Sequence, residues 1–306
     1  MYNETIKNRY IQEKESTTNT PNGYLMRQFN KTESFEQRLG KDISNFTAYE
    51  IEDFYKTLNM KSVESLIVLH SHLSLYTQWS LQQNLVVDCQ NHFDEIDSSS
   101  FVNYINVLLF KKSIITRKDL YRLIDKLDNP SDAFIMLALF EGIEGENYSE
   151  ITNLKMSDFN GNKVKLCTGR ELTVSSKLVS LAEESNREMV YHSIDKGRDF
   201  PLIENGLIIK EYPNCRTESS RNKGRRIYSK VRRNLEKIGI EYMKPRSFFD
   251  SGKIDYINTR CMELEITAEE FMKRKECLDE VEYRFRYDLN RLKVSFMKKY
   301  GECLVK

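Results

Sequence analysis

The side chains best placed for chemistry are the cations and tyrosines in the C-terminal half of the chain. Between Arg216 and Arg233 the sequence reads RTESSRNKGRRIYSKVRR, with eight lysines and arginines against one glutamate. Elsewhere charge is balanced: 47 Lys and Arg against 46 Asp and Glu leave a formal +1. A nucleic-acid-binding function must therefore sit in a local patch; this segment is the strongest local charge signal, and by charge alone such a run is more often a solvated helix face. Tyr283, Tyr287 and Tyr300 offer hydroxyls that could attack phosphorus. A phenol with a pKa of about 10 is a poor nucleophile unless cations hold the phosphate and stabilise the transition state. Simple packing is the commoner role for such tyrosines. Glu141, Glu144 and Glu146 surround a Gly142-Ile143-Glu144-Gly145 turn. Their charge would repel a phosphate, and with no histidine nearby they read as a solvated acidic turn, not a metal site.

Six cysteines (Cys89, Cys167, Cys215, Cys261, Cys277, Cys303) and four histidines (His70, His72, His92, His192) are scattered without zinc-type spacing. The expectation is a reduced cytoplasmic protein with no metal and no cofactor. MYNETIKNRYIQEKE lacks the apolar stretch of a signal peptide, and no apolar run approaches the roughly 18 residues of a membrane span.

The elements that must position these residues are mostly helical. Residues 1 to 23 read as a mobile arm or short lead-in helix ending in the turn Thr20-Pro21-Asn22-Gly23, with the folded unit starting near Tyr24. Thr47-Ala48-Tyr49-Glu50 forms a capping box that opens a helix over 47–58, with Ile51, Phe54, Tyr55 and Leu58 inward. A second helix from about Ser62 carries Leu66, Leu69, Leu73, Tyr76 and Trp79 on one face and stops at Asn84. DEIDSSS (94–100) is a connector, and Phe101 to Phe110 is apolar at helical spacing. Thr116 caps a helix with Leu120, Leu123, Ile124 and Leu127 inward, ended by Asn129-Pro130. Val164, Leu166, Leu172 and Val174 alternate around Thr168-Gly169-Arg170 as in a hairpin over 163–176. LVSLAEESNREMV (178–190) reads as a helix, and Phe200 to Ile209 as a short strand region. In the basic segment Ile227, Val231, Leu235 and Ile238 recur at helical spacing. That puts Arg226, Lys230, Arg233 and Lys237 on one flank, with Arg225 and Arg232 on the other. Thr267-Ala268-Glu269-Glu270 is another capping box.

Ser149-Glu150, Leu154-Lys155, Ser157-Asp158 and the 163–176 hairpin, in that order, resemble the first active-site box of tyrosine recombinases (phage integrases). The resemblance implies an arginine two residues before Ser149, and that position holds Asn147. It implies Pro-His-x-x-Arg in the second box, where Lys244-Pro245-Arg246-Ser247-Phe248-Phe249 stands. Arg246 then replaces the histidine and Phe249 the second arginine, and a phenyl ring cannot bind an oxyanion. Arg286-Tyr287 matches the family's Arg-Tyr pair, but the site nine residues earlier is Leu278. Lys163 or Lys165 could stand for the hairpin lysine without rebuilding the site. No catalytic residues, and no strand cleavage or joining, are expected.

The resemblance further implies a mainly α protein with a small β-sheet (α+β), in two domains that clamp duplex DNA. These are a helical core-binding domain over 24–112, after an arm over 1–23, and a catalytic-like domain over 113–306; an ordinary helix-turn-helix around Asn59-Met60-Lys61 is the runner-up for the first. The helix before the second box lies along DNA in that family. The expected DNA contacts are Arg216, Arg221, Lys223, Arg225, Arg226, Lys230, Arg232, Arg233, Lys244, Arg246, Lys111, Lys112, Lys163 and Arg170. In its pattern, including KKSIITRKDL and FEGIEGENYSEITNLK, the chain looks like the master lytic-cycle repressors of SPβ-type Bacillus prophages. That implies a sequence-specific double-stranded-DNA-binding repressor that maintains lysogeny. Two alternatives stand: an active divergent recombinase using Tyr287, and an accessory protein that partners a recombinase or regulator through a C-terminal helix over 281–300. The operator, and whether a second copy or a phage regulatory protein binds, stay open.

Overall fold

The structure, a computed structural model, describes all residues except 18–21, 61–62, 106–110, 194–196, 214–218, 241–242 and 306; the side chains of 15–17, 22, 64, 102, 291, 292, 295 and 298 are also outside the description. The chain divides into two compact units, Met1–Phe110 and Lys111–Lys306.

The first unit gathers the helices Glu4–Thr17, Asn22–Leu39, Ala48–Thr57 and Val63–Gln82 around an aromatic core. Tyr10, Phe29 and Tyr76 meet edge to face, at 6.0 Å for Tyr10–Phe29 and 4.9 Å for Phe29–Tyr76. Tyr10 and Ile11 are thus core residues, and Lys7 is fully buried beside Glu36 at 2.5 Å. Of the two expectations for the first residues, a mobile arm or a lead-in helix, the helix is present as Glu4–Thr17, and since it supplies core residues the unit begins before Tyr24. Asn22 and Gly23 belong to the next helix, while Thr20 and Pro21 lie outside the described residues. The Thr47–Glu50 capping box is present, and Leu66, Leu69, Leu73 and Tyr76 are buried as their spacing requires. Ser62 and residues 106–110 lie outside the description; Ser98–Tyr104 forms a short 3₁₀ helix.

In the second unit the helix Pro130–Phe140 is buried from Ser131 to Phe140, and the helices Arg117–Ile124, Ser176–Arg187 and Ser220–Lys237 pack around it. Pro130 opens that helix at its first position, where the missing N–H costs nothing. The helix Pro245–Glu263 comes so close that a Cβ on Gly252 would lie 1.7 Å from the Phe140 carbonyl oxygen, so only glycine fits. The expected hairpin is the second half of an antiparallel sheet: β1 (Phe159–Asn160), β2 (Lys163–Lys165) and β3 (Glu171–Thr173). Val164 faces Leu172 with both side chains buried, and Lys163, Lys165 and Glu171 point out.

Two expectations shift. The helix Ser176–Arg187 stops short of Met189-Val190, because Val190–Ser193 (β4) pairs with Arg198–Pro201 (β5); only Phe200 and Pro201 of the expected 200–209 strand are in it. The single C-terminal helix over 281–300 is two helices, Lys275–Phe285 and Leu289–Tyr300, broken where Arg286 turns left-handed at φ 49°.

Candidate nucleic-acid interface

The basic helix Ser220–Lys237, capped by Ser219, buries Gly224, Ile227, Val231, Asn234 and Leu235. Gly224 is a close-approach point: a Cβ there would stand 2.7 Å from the carbonyl oxygen of Asn147. The two flanks of this helix differ in charge compensation. On one, Lys223 and Arg226 reach Glu211 at 3.0 and 3.6 Å, and Lys237 reaches Asp128 at 2.7 Å. Lys230 lies 3.5 Å from buried Asp132 and 3.9 Å from the centre of the Tyr191 ring. Asp132 also accepts hydrogen bonds from Tyr191 Oη at 3.0 Å and Asn234 Nδ2 at 2.8 Å. Lys230 is therefore corrected from an expected DNA contact to a residue that ties the helix to the core. Arg233 is exposed.

The other flank is open. Arg221, Arg225, Tyr228 and Arg232 follow one another at three- and four-residue spacing, all exposed. Among the described residues no carboxylate lies within ion-pair distance of Arg221 or Arg225; Arg232 pairs only with Glu236 of its own helix, at 2.6 Å. Lys244 is exposed beside the same surface, in a groove of about 280 Å³ lined by Tyr228, Arg232, Glu236, Ile240, Met243, Lys244 and Pro245. Arg216 lies outside the described residues.

The remaining expected contacts divide in the same way. Lys112 is exposed. Lys111 pairs with Glu302, and Lys163 lies 3.6 Å from Glu171 on the neighbouring strand. Arg170 is corrected. Its guanidinium bonds both Glu150 oxygens, at 3.1 and 2.5 Å, and the backbone oxygens of Gly142, Tyr283 and Arg284 at 3.2, 2.8 and 2.5 Å. No donor set is left over for a phosphate, since both carboxylate and carbonyls are built in. Burial alone would raise the Glu150 carboxyl, but the Arg170 and Thr168 hydrogen bonds outweigh it and hold it below the usual range.

The positions that correspond to recombinase chemistry do come together. Gly142, Glu144, Gly145, Glu146, Arg170, Arg246, Phe249, Phe285, Arg286 and Tyr287 line one cleft of about 210 Å³. Asn147 and Tyr148 beside it are both left-handed, at φ 51° and 60°. Arg246 stands 3.2 Å from Asp250 and 3.5 Å from Glu144. Burial disfavours its charge, and these two acids more than restore it. Glu144 is shifted the other way: burial raises its carboxyl despite Arg246 and Lys253. Phe249 meets Phe285 edge to face at 5.4 Å, and Leu278 is buried in the core. Of the three C-terminal tyrosines, Tyr287 lines the cleft, Tyr283 donates to the Glu171 carbonyl at 3.3 Å, and Tyr300 is buried with its hydroxyl pKa raised by burial and by Asp250. The acidic-turn expectation is corrected at Glu141, which is 2% exposed and accepts from Ser175.

Residues 114–300 match the family described as "MrpR, C-terminal catalytic domain", and residues 1–82 match "MrpR, N-terminal core-binding domain". The chain belongs to the MrpR family. Its core-binding part precedes its catalytic part, the order that the recombinase resemblance implies, and the fold is tyrosine-recombinase-like. The SPbeta prophage-derived uncharacterized protein YopR of Bacillus subtilis (strain 168) is 26% identical over 277 residues, which is 83% of this chain and 81% of that one. Two solved structures of lambda integrase dimers bound to a COC' core site align with TM-scores of 0.47 and 0.46 at 13% and 12% identity. They cover 94% of this chain each, and 96% and 78% of theirs.

Two residues of this MrpR-family chain escaped the sequence reading. Tyr228 shares the open stripe of the basic helix, and its spacing, three residues after Arg225 and four before Arg232, already carried that signal. Lys253 lies under the cleft, one turn after Phe249 on the same helix. It is fully buried, 2.8 Å from Asp250 in a contact too poorly aligned to complete a hydrogen bond, and 3.8 Å from the centre of the Tyr287 ring. Burial lowers its pKa to about 8 in spite of Asp250.

Proposed function

We propose that this protein binds specific duplex DNA sites and represses transcription by occupying them, that it does so in the cytoplasm of a host carrying it as a prophage gene, and that it neither cuts nor joins strands. The observation that carries the reading is the open stripe Arg221-Arg225-Tyr228-Arg232, with Lys244 beside it. Three exposed guanidiniums in a row, of which only Arg232 has an acid in reach among the described residues, suit a polyanion, with phosphate contacts setting register and arginine forks able to reach guanine. The prophage setting is supported by the printed name of the Bacillus subtilis relative. The core-binding role falls to residues 24–112, with the 1–17 segment as part of their fold, and the catalytic-like role to 113–306.

Loss of strand transfer is supported by the charge balance of the cleft. The two arginine positions are neutral, at Asn147 and Phe249, and the cations nearby at Arg246 and Arg170 are engaged by acids. A phosphodiester entering there would meet Glu144 and Glu146 with no free pair of arginine forks, and transition-state stabilisation depends on such donors being preorganised and available.

A second reading has one observation in its favour: Tyr287 shares the cleft with Arg246 and Arg286. It requires a covalent tyrosyl-DNA adduct on a nicked duplex, abolished by Tyr287→Phe. Selection of the purified protein against randomised duplex DNA tests the proposed reading. One enriched motif, with log affinity falling against log salt at a slope of roughly −5 to −7 for about six to eight neutralised phosphates, is the expected result. A flat salt response rules the reading out.

A further inference from the structure

We infer that the cleft of the second unit is an effector site for a free amino acid with an apolar or aromatic side chain, held by its carboxylate at Arg286 and by its ammonium at Glu146, and that occupancy is felt by the basic helix Ser220–Lys237. The site stands on the geometry of the cleft; its effect on DNA rests on the reading above.

The charges that line the cleft divide into paired and unpaired. Arg170 is held by Glu150 at 2.5 Å, and Arg246 by Asp250 at 3.2 Å and Glu144 at 3.5 Å. Glu146 and Arg286 are exposed in the same lining, and among the described residues neither side chain has a hydrogen bond or ion pair, with the other or with any third group. One cavity thus presents one anion and one cation to solvent. Much of the remaining wall is aromatic: Phe249, Phe285 and Tyr287, the first two edge to face at 5.4 Å. The volume of about 210 Å³ lies below the range of drug-sized ligands and suits a small metabolite. A simple anion would satisfy Arg286 and be repelled by Glu146, and a simple cation the reverse. A zwitterion with an apolar body matches both charges and the wall, which is the chemistry of a free amino acid with an apolar or aromatic side chain.

The backbone around the cleft fits a ligand role. Among the described residues of the second unit, four residues other than glycine have left-handed backbone: Asn147 (φ 51°), Tyr148 (φ 60°), Glu265 (φ 53°) and Arg286 (φ 49°). All but Glu265 lie in or beside the cleft. Such conformations are costly for residues with a Cβ and concentrate at ligand clamps and switch regions. The same turn reaches the basic helix. Glu146–Tyr148 packs against Ser220–Lys237, where a Cβ on Gly224 would stand 2.7 Å from the Asn147 carbonyl oxygen. A ligand that pulls on Glu146 therefore acts on a segment with no slack against the helix that carries Arg221 and Arg225. Contacts packed that closely pass between discrete arrangements and do not deform smoothly, so a small shift at the turn is transmitted.

The test titrates the full-length chain calorimetrically, without DNA, with each common free L-amino acid and with inorganic phosphate. Saturable binding of at least one apolar or aromatic amino acid, not displaced by phosphate, is expected. Its N-acetyl form and its methyl ester, which lack the ammonium and the carboxylate charge, should each bind about tenfold or more weakly. Glu146→Gln should weaken the amino acid as much but leave the N-acetyl form within about twofold of its parent affinity, and Arg286→Asn should do the same with the methyl ester. Asparagine tolerates the left-handed backbone at 286, and both side chains are exposed, so melting should match the parent. No saturable amino acid, blocked forms that bind as well as the free one, or displacement by phosphate overturns the site. With the duplex motif recovered by selection, a saturating amino acid should change duplex affinity about fivefold or more, and saturating duplex should change amino-acid affinity by the same factor. Unchanged duplex affinity overturns the effector role. A chain that binds the amino acid but no duplex overturns the DNA reading and leaves the site standing.

Discussion

The cleft and the open flank of the basic helix hold similar numbers of cations, yet the acids around them differ. In and beneath the cleft, Arg170, Arg246 and Lys253 stand within 4 Å of Glu150, Glu144 and Asp250. On the helix, Arg221 and Arg225 have no acid in reach among the described residues. Counting positive side chains would rank the two alike. Compensation separates them: in the cleft Arg170 ties the turn, the hairpin and the C-terminal helix together, whereas the open flank leaves Arg221 and Arg225 to solvent. Arg286, which also lines the cleft, is exposed.

The largest effect expected from breaking this contrast is on stability, in the cleft. Arg170→Ala leaves the fully buried Glu150 without its cation, which should cost about 3–5 kcal/mol in urea unfolding. A loss under about 1 kcal/mol would mean that Arg170 is free enough to serve DNA after all. Next comes binding at the helix. Charge reversal of Arg221 and Arg225 together should weaken duplex affinity well over tenfold with an unchanged melting curve. Loss of fold instead would place those residues in the core. Lys230→Ala sharpens the same line within one helix: it should destabilise by about 1–3 kcal/mol, since Asp132 is left buried beside fewer partners. Arg232→Ala should be near neutral for stability, within about 0.5 kcal/mol, as an exposed pair one helical turn apart.

A pH effect follows from Lys253. Its folded pKa is depressed to about 8 from 10.5, so the folded state holds this proton less tightly than the unfolded chain. The contribution to stability is present above the unfolded pKa and is lost as pH falls through about 8. Lys253→Met should flatten the rise in unfolding free energy between pH 8 and 10. An unchanged slope would show that the ammonium is not buried.

Much of the fold was legible because it depends on periodicity and caps. The 47–50 and 267–270 capping boxes, the Leu66–Tyr76 stripe and the Val164–Leu172 register all appear where their spacing put them. The C-terminal break was not, because the left-handed residue is Arg286, which carries no glycine or proline signal. Among site residues, the convergence of Arg246, Phe249 and Tyr287 on one cleft followed from the motif order. The fates of Arg170 and Lys230 did not. Each is decided by a partner distant in sequence, Glu150 twenty residues earlier and Asp132 ninety-eight earlier, and local charge density says nothing about such pairs.

The central claim is that the chain grips specific duplex DNA without chemistry. Selection from randomised duplex, with the retained DNA released by denaturant, tests it most directly. The account predicts one enriched motif and complete release. DNA that stays attached to the denatured protein through Tyr287, or a retained pool with no motif, would contradict it.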